Sequence, residues 1–403
     1  LTTKSQEKVE WMSNSKQMKA NPGGSIEPDS VVGRQLLIQQ IWKRLDQQCV
    51  LLHAERRIGK TSVIRKMVAE PPEGWFGVYQ DLEDVHSAAE FASAVHDRVQ
   101  EFLGRGKRAA NAARKIYEDH DFGNLSKKKD RPWKNLLITS IEDLIAAKAE
   151  QRLVMFWDEV PYMVANICKA DGELTAAEVL DTLRMLRQKH PDDLRMLFTG
   201  SIGLHHVLSS LHDAQIATEP VNDMFAIEVT PLSPADAREL AKSLIGGESL
   251  TTGDADEAAD VIAEETDCFP FYIQHVVSSL SVDRLPAEPA QIQELVQRQL
   301  VDSGDPWELG HFRNRIRIYY ANIADARLVE LILDSLCGQD LTTVNDLLNL
   351  INAQTGEFDD RGNLVRVLRL MEKDHYVSRD TAGRYRFRFP LIRRWWKLDR
   401  GLS

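Results

Sequence analysis

The sequence predicts an α/β protein built on a mainly parallel sheet, and three observations carry that prediction. Residues 49–62, Cys49-Val50-Leu51-Leu52-His53-Ala54-Glu55-Arg56-Arg57-Ile58-Gly59-Lys60-Thr61-Ser62, begin as a short apolar run of strand character. They pass through a polar, arginine-bearing turn into a helical pattern with Val63, Ile64, Met67 and Val68 on one face. A fully apolar run, Leu153-Val154-Met155-Phe156-Trp157, then stops at Asp158-Glu159, the pattern of a strand buried on both faces of a parallel sheet. Three more apolar runs, at 76–82, 194–201 and 226–229, are separated by helical patterns. Five strands alternating with helices imply a sheet covered by helices on its faces.

The bulk numbers agree. A chain of 403 residues holds two or three domains and can bury a sizeable core. A hydrophobic content of 43% with 28% charged residues is that of an ordinary globular protein. The net charge of −11 argues against a surface that coats nucleic acid or anionic membrane throughout, while leaving room for a local basic patch. The four cysteines, Cys49, Cys168, Cys268 and Cys337, lie far apart without a C-x-x-C, so neither a zinc site nor a disulfide framework is expected. Polar residues before Ser30, and no run of transmembrane length, make a reducing cytoplasm the expected home.

In chain order, residues 1–30 read as an N-terminal arm ended by Pro22-Gly23-Gly24-Ser25. Val31-Val32-Gly33-Arg34 is expected to begin an amphipathic helix leading to the first strand. The turn that follows that strand has the strand–loop–helix context of a phosphate-binding loop. Its backbone N–H groups, from Arg56, Arg57, Ile58, Gly59, Lys60, Thr61 and Ser62, would wrap the phosphates, with the positive end of the helix dipole aimed at the same anion. Gly59 allows close backbone approach, Lys60 would reach the β- and γ-phosphates, and Thr61 offers a hydroxyl to Mg²⁺. Ala54 stands where the usual pattern has its first glycine, which alanine can replace wherever φ is negative.

Ser87-Ala88-Ala89-Glu90 reads as a capping box for a helix reaching about Leu103. Residues 104–134 are crowded with lysine and arginine and read as a solvated insertion, with a nucleic-acid or partner contact as the alternative. A helix over 136–149 precedes the strand that ends in the acid pair. At a sheet's carboxyl edge Asp158 would hold Mg²⁺, and Glu159 could orient or polarise an attacking water. Thr175-Ala176-Ala177-Glu178 looks like a second capping box, opening a helix whose Arg184 and Arg187 are candidate arginine fingers for a neighbouring subunit. His205, His206 and His212 lack the His-Glu-x-x-His spacing of a zinc site, so a structural role is expected. Ser233-Pro234 starts a helical region that runs to about residue 300. Beyond it, helical patterns at 327–336, 343–351 and 364–373 precede two alternating runs joined by Asp380-Thr381-Ala382-Gly383. Three helices and a hairpin is the layout of a winged-helix domain.

Together these motifs resemble a family. Val32-Gly33-Arg34, Arg56-Arg57-Ile58-Gly59-Lys60-Thr61-Ser62, Trp157-Asp158-Glu159-Val160-Pro161, Leu183-Arg184, Phe198-Thr199-Gly200-Ser201, Pro231-Leu232-Ser233 and Phe269-Pro270-Phe271-Tyr272 carry the likeness. The chain resembles the bacterial and archaeal ATPases grouped with the STAND NTPases of the AAA+ superclass, often called archaeal-ATPase-like. The resemblance implies a P-loop NTPase three-layer sandwich of strand order 5-1-4-3-2. It divides the chain into an N-terminal arm (1–30), an ATPase core (31–230), a helical lid (231–300) and a winged-helix domain (301–403). Thr199 or Ser201 would be the sensor of the γ-phosphate, Val32 and Gly33 would meet the adenine by backbone, and Pro270 would touch the nucleotide from the lid. Cys268 stands where such lids prefer glycine, and no arginine occupies the second sensor position of the origin-recognition branch. These departures favour a switch with slow turnover over a fast motor.

The expected function is therefore an ATP-binding and hydrolysing switch, using ATP and Mg²⁺, that controls an effector or partner protein. The resemblance extends this to effectors encoded alongside, including in phage defence; a homo-oligomer is a separate candidate partner. The second expectation is an ATP-gated DNA-binding protein whose winged helix docks DNA through Arg384, Arg386, Arg388, Arg393, Arg394 and Lys397 around Trp395-Trp396. A third, a nucleotide-binding scaffold without turnover, is opposed by the intact Glu159.

Overall fold

The computed structural model describes residues 18–103, 131–200, 203–216, 219–320, 323–356 and 358–402. By its contacts the chain divides into two units. The first comprises Gln35–Arg56 and Lys60–Val229; the second comprises the chain up to Arg34, together with Arg57–Gly59 and Thr230–Ser403.

The apolar runs of the first unit form strands β1 (Val50–His53), β2 (Trp75–Asp81), β3 (Arg152–Asp158), β4 (Leu194–Thr199) and β5 (Phe225–Glu228). They are parallel, in the order β2-β3-β4-β1-β5, which is the expected 5-1-4-3-2 read from the other edge. Parallel neighbours need crossovers, and these are helices covering both faces of the sheet. β3 shows the consequence: every residue from Leu153 to Asp158 is buried. Its alternate residues Leu153, Met155 and Trp157 join Leu194, Met196 and Phe198 in one core with Phe91, Val95, Leu137 and Ile141. Those last four come from helices Ala88–Gln100 and Pro132–Ala147. On the opposite face Phe156 meets Trp42 of helix Gln35–Leu45 edge-on, ring centroids 6.1 Å apart. Each fully buried large apolar side chain contributes about 1.5–3 kcal/mol, so β3 is pinned from two sides.

The second unit is helical: Pro234–Gly247, Ala255–Glu265, Pro270–Val282 and Pro289–Val301, then Gly310–Tyr319, Ile323–Cys337, Val344–Thr355 and Arg361–Lys373. A hairpin of β6 (Val377–Arg379) and β7 (Tyr385–Phe387) and a last helix, Pro390–Asp399, complete it. Thr342 extends the hairpin: its N–H donates to the Tyr385 carbonyl at 2.9 Å, and the Tyr385 N–H returns the bond at 2.8 Å. Three helices followed by this hairpin form the expected winged-helix layout. Trp395 and Trp396 are buried, and Trp396 Nε1 donates to Asp334 Oδ1 at 2.8 Å, so the tryptophan pair is core. Among the described residues, no helix is long and apolar enough to cross a membrane.

Four expectations need correcting. The first helix starts at Gln35, not at Val31, because Gly33 takes φ of +69°, which a right-handed helix cannot contain. Thr175 caps nothing: the helix is Glu173–Lys189, opened at Gly172 (φ +87°), and the Thr175 hydroxyl donates back to the Asp171 carbonyl at 3.0 Å. Arg187 is no finger, since its buried guanidinium donates to Asp223 Oδ1 at 2.8 Å and to the Pro220 carbonyl at 2.6 Å. Arg184 is half-buried and donates to the Glu219 carbonyl at 3.0 Å. Helices Gly310–Tyr319 and Pro390–Asp399 add to the expected set; in both, apolar residues are interleaved with arginine. Most of the basic insertion, residues 104–130, lies outside the described residues, as does Ser201. The box at Ser87 and the helix start at Ser233 do hold, each hydroxyl accepting the N–H three residues on.

Candidate active site

Strand β1 ends at His53 and the helix Lys60–Ala69 opens beyond a six-residue loop, so the glycine-lysine-threonine turn sits at a helix start. Gly59 takes φ of +93°, where a side chain would be strained. Ala54 is buried and absent from the left-handed region, which is why alanine serves in the first glycine's place. Lys60 is buried, and its Nζ donates to the Ala54 and Glu55 carbonyls at 3.1 and 3.2 Å, inside the curve of the loop. Glu55, also buried, accepts the Arg56 N–H at 2.7 Å. Ser62 is half-buried in the helix's first turn.

Thr61 Oγ1 donates to Asp158 Oδ2 at 2.9 Å, which joins the loop to the end of β3. Tyr79 Oη donates to the same oxygen at 3.2 Å, and the Glu159 N–H donates to Oδ1 at 3.2 Å. Burial pushes the Asp158 carboxyl above the usual carboxylate range, and the Thr61 bond opposes that shift. Asp81 faces Asp158 across the β2–β3 register and adds a like charge at the same edge. A hydroxyl and a carboxylate at this separation are hard oxygen donors, the set that Mg²⁺ takes, so the residues present fit that ion. Glu159 itself is left-handed, with φ 59° and ψ 35°. A non-glycine residue there costs about 1–3 kcal/mol and is found at functional sites. Gly200 has no room for a side chain, since a Cβ would lie 2.4 Å from Pro161 Cδ and 3.6 Å from Glu159 Oε2. The Thr199 hydroxyl, at the end of β4, is buried with no hydrogen-bond partner. A buried donor without an acceptor is costly and calls for an explanation.

The second unit holds the remaining candidates. Arg34 is buried, donating to the Ile58 and Thr230 carbonyls, both at 2.8 Å. Burial brings its guanidinium down to about 10, against the pull of Asp236. Gly33 packs so closely that a Cβ would be 2.5 Å from Asp236 Cβ, and Val32 is half-buried beside it. Pro270 is the first residue of helix Pro270–Val282, and a Cβ on Gly59 would sit 3.9 Å from its Cγ. The Arg57 guanidinium carbon lies 4.3 Å from the centroid of the Phe271 ring. Burial, then the Arg57 charge, lowers His275 to about 4, so the imidazole is neutral at pH 7.

Sequence reasoning missed Arg34's grip on the loop, Tyr79 and Asp81. Asp81 had a visible signal, an acid ending a strand next to the strand of Asp158. Arg34 and Tyr79 had none, because their partners lie 24 and 79 residues away.

No family model and no curated protein matches the chain. Solved structures do. The Walker-type ATPase PABY2304 of Pyrococcus abyssi superposes with a TM-score of 0.68 at 15% identity, covering 94% of this chain and 100% of that one. The Aeropyrum pernix ORC2 protein, in its ADPNP–ADP complexes, superposes with a TM-score of 0.55 at 11% identity, covering 96% of each chain. At these identities the likeness is one of fold. The chain shares its α/β P-loop fold with that Walker-type ATPase and with that ORC2 protein.

Proposed function

We propose that the chain is an ATP-binding and slowly hydrolysing switch that acts on a partner protein. The observation that carries this is the hydrogen bond of Thr61 to Asp158, which joins a glycine-lysine-threonine helix start to the acid end of a buried strand. Backbone N–H groups of Arg56 to Ser62 bind the phosphates, and Lys60 supplies the counter-charge. Thr61 and Asp158 hold Mg²⁺, which neutralises phosphate charge when bound. Glu159, fixed in its left-handed turn, orients the attacking water and accepts its proton, and the unpartnered Thr199 hydroxyl donates to the γ-phosphate. Val32 and Gly33 meet the adenine by backbone, and Pro270 contacts the nucleotide. Residues 31–230 are then the ATPase core, 231–300 the lid and 301–403 the winged-helix reader of its state, preceded by the arm 1–30. The structural likeness to an ORC2 protein solved with ADPNP and ADP supports nucleotide binding. The resemblance to STAND ATPases supports an effector partner, including one in phage defence.

Glu159→Gln tests the reading: hydrolysis should fall by about 10²–10⁴, the usual worth of a positioned base, with ATP binding retained. Hydrogen exchange over residues 231–403, the turn at 302–309 excepted, should slow with ATP in that variant, because a ligand favours the conformation it contacts. An unchanged single-turnover rate would remove Glu159 from catalysis, and unchanged exchange would leave an ATPase without the switch.

A second reading, ATP-gated DNA binding, is favoured by one surface. Helix Arg361–Lys373 exposes Arg361, Arg366, Arg369 and Lys373, and the hairpin exposes Arg379, Arg384 and Arg386. Three arginines expected in that role are ion-paired within the chain: Arg384 with Asp380, Arg393 with Asp340 and Arg394 with Glu265. If DNA docks here, neutralising Arg369 and Arg386 should lower the log–log salt slope by about 0.9 for each phosphate that goes unneutralised. Absence of any DNA binding by the wild type at low salt, with ATP present, would end this reading.

A further inference from the structure

Arg57 belongs to the phosphate loop by sequence and to the second unit by its packing. Its backbone is left-handed (φ 68°), its guanidinium covers the Phe271 ring, and its Nη2 donates to the Glu308 carboxylate. Its Nε is buried with no acceptor. Glu308 is left-handed too (φ 53°) and stands in the turn between helices Pro289–Val301 and Gly310–Tyr319. That turn is held from within the same unit. Trp307 is buried and stacks on Tyr272 with centroids 5.2 Å apart, and the Asp305 carboxylate accepts the Leu309 and Gly310 N–H groups at 2.7 and 2.8 Å.

A guanidinium presents its donors as a fork, and an oxyanion pairs with it best by taking two prongs at once. Glu308 takes one prong and leaves the buried Nε unsatisfied. Its side chain is 49% exposed, and ion pairs so open to water contribute little. A phosphate group carries more charge than a carboxylate and can accept from Nε and Nη2 together. We propose that Glu308 is a carboxylate placeholder for a nucleotide phosphate on Arg57, an autoinhibitory latch on the loop. The latch rests on the nucleotide-binding reading given above. Phosphate that takes Arg57 releases Glu308 and loosens the turn at 302–309; by reciprocity, a held turn weakens nucleotide binding.

Calorimetry with ATP and Mg²⁺ tests it on the full chain. Glu308→Gln should bind ATP about two- to five-fold more tightly than wild type, the worth of one exposed pair removed from competition. Arg57→Ala should bind more weakly, and adding Glu308→Gln to it should change nothing further, since the two act through one interaction. In the wild type, ATP should speed hydrogen exchange at residues 302–309. Unchanged or weaker binding by Glu308→Gln, or the same gain in the Arg57→Ala background, overturns the latch while leaving the ATP site intact. No ATP binding by folded wild type overturns the nucleotide reading, and the latch with it.

Discussion

The end of β3 and the turn around Glu308 handle charge in opposite ways. Asp158 is buried and accepts from Thr61, Tyr79 and the Glu159 N–H, each within 3.2 Å. Arg57 is matched on one prong, leaves Nε unpaired, and the pair joins two left-handed non-glycine residues. A satisfied network in a close-packed sheet has little to gain by rearranging, whereas a half-satisfied pair between strained residues leaves a donor for another acceptor. On the proposed reading, the chemistry belongs to the sheet edge and the switching to the helical unit.

The largest break in that comparison comes at Lys60. Lys60→Ala should abolish measurable ATP binding in a folded protein, because the phosphates lose their side-chain counter-charge and the Ala54 and Glu55 carbonyls lose their shared donor. Unaltered affinity by calorimetry would remove the phosphate-loop assignment. Next is Gly200→Ala, whose new methyl would meet Pro161 at 2.4 Å. Overpacking of this kind costs about 1–3 kcal/mol; a denaturation midpoint equal to wild type would show that the edge is softer than its packing implies.

The smallest effect probes the helical unit. Asp267 accepts the Leu391 N–H at 2.6 Å, and burial pushes its carboxyl up to about 6, against that hydrogen bond and the Arg394 charge and with the like charge of Glu265. Because the folded value is raised, its contribution is fully present below the ordinary carboxylate value and is lost as pH rises through about 6. Asp267→Asn keeps an acceptor and removes the titration. Stability between roughly pH 4 and 7 should then lose about 1–3 kcal/mol of its decline with pH, after screening. Parallel pH profiles for the two proteins would refute this.

How much of this is legible in the sequence follows from the distance over which each feature is decided. The loop, the acid pair and the five strands are local patterns of a few residues, and they stand where the sequence places them. Strand order comes from the resemblance, since periodicity says nothing about neighbours. Thr175 misleads because a capping motif competes with a chain break three residues earlier, and Gly172 wins by its left-handed φ. Gly33 interrupts an expected helix for the same reason. The Arg57–Glu308 and Asp267–Leu391 hydrogen bonds span 251 and 124 residues, and no local pattern announces them.

The most direct measurement is the Mg²⁺ dependence of ATP binding in wild type and Asp158→Asn, by calorimetry with and without the ion. Thr61 and Asp158 lie 2.9 Å apart as a pair of hard oxygen donors. Wild type should therefore bind ATP more tightly with Mg²⁺ than without, by about ten-fold or more, and Asp158→Asn should lose that gain while keeping the metal-free affinity. Equal wild-type affinity with and without Mg²⁺, or a full Mg²⁺ gain in Asp158→Asn, would contradict the account.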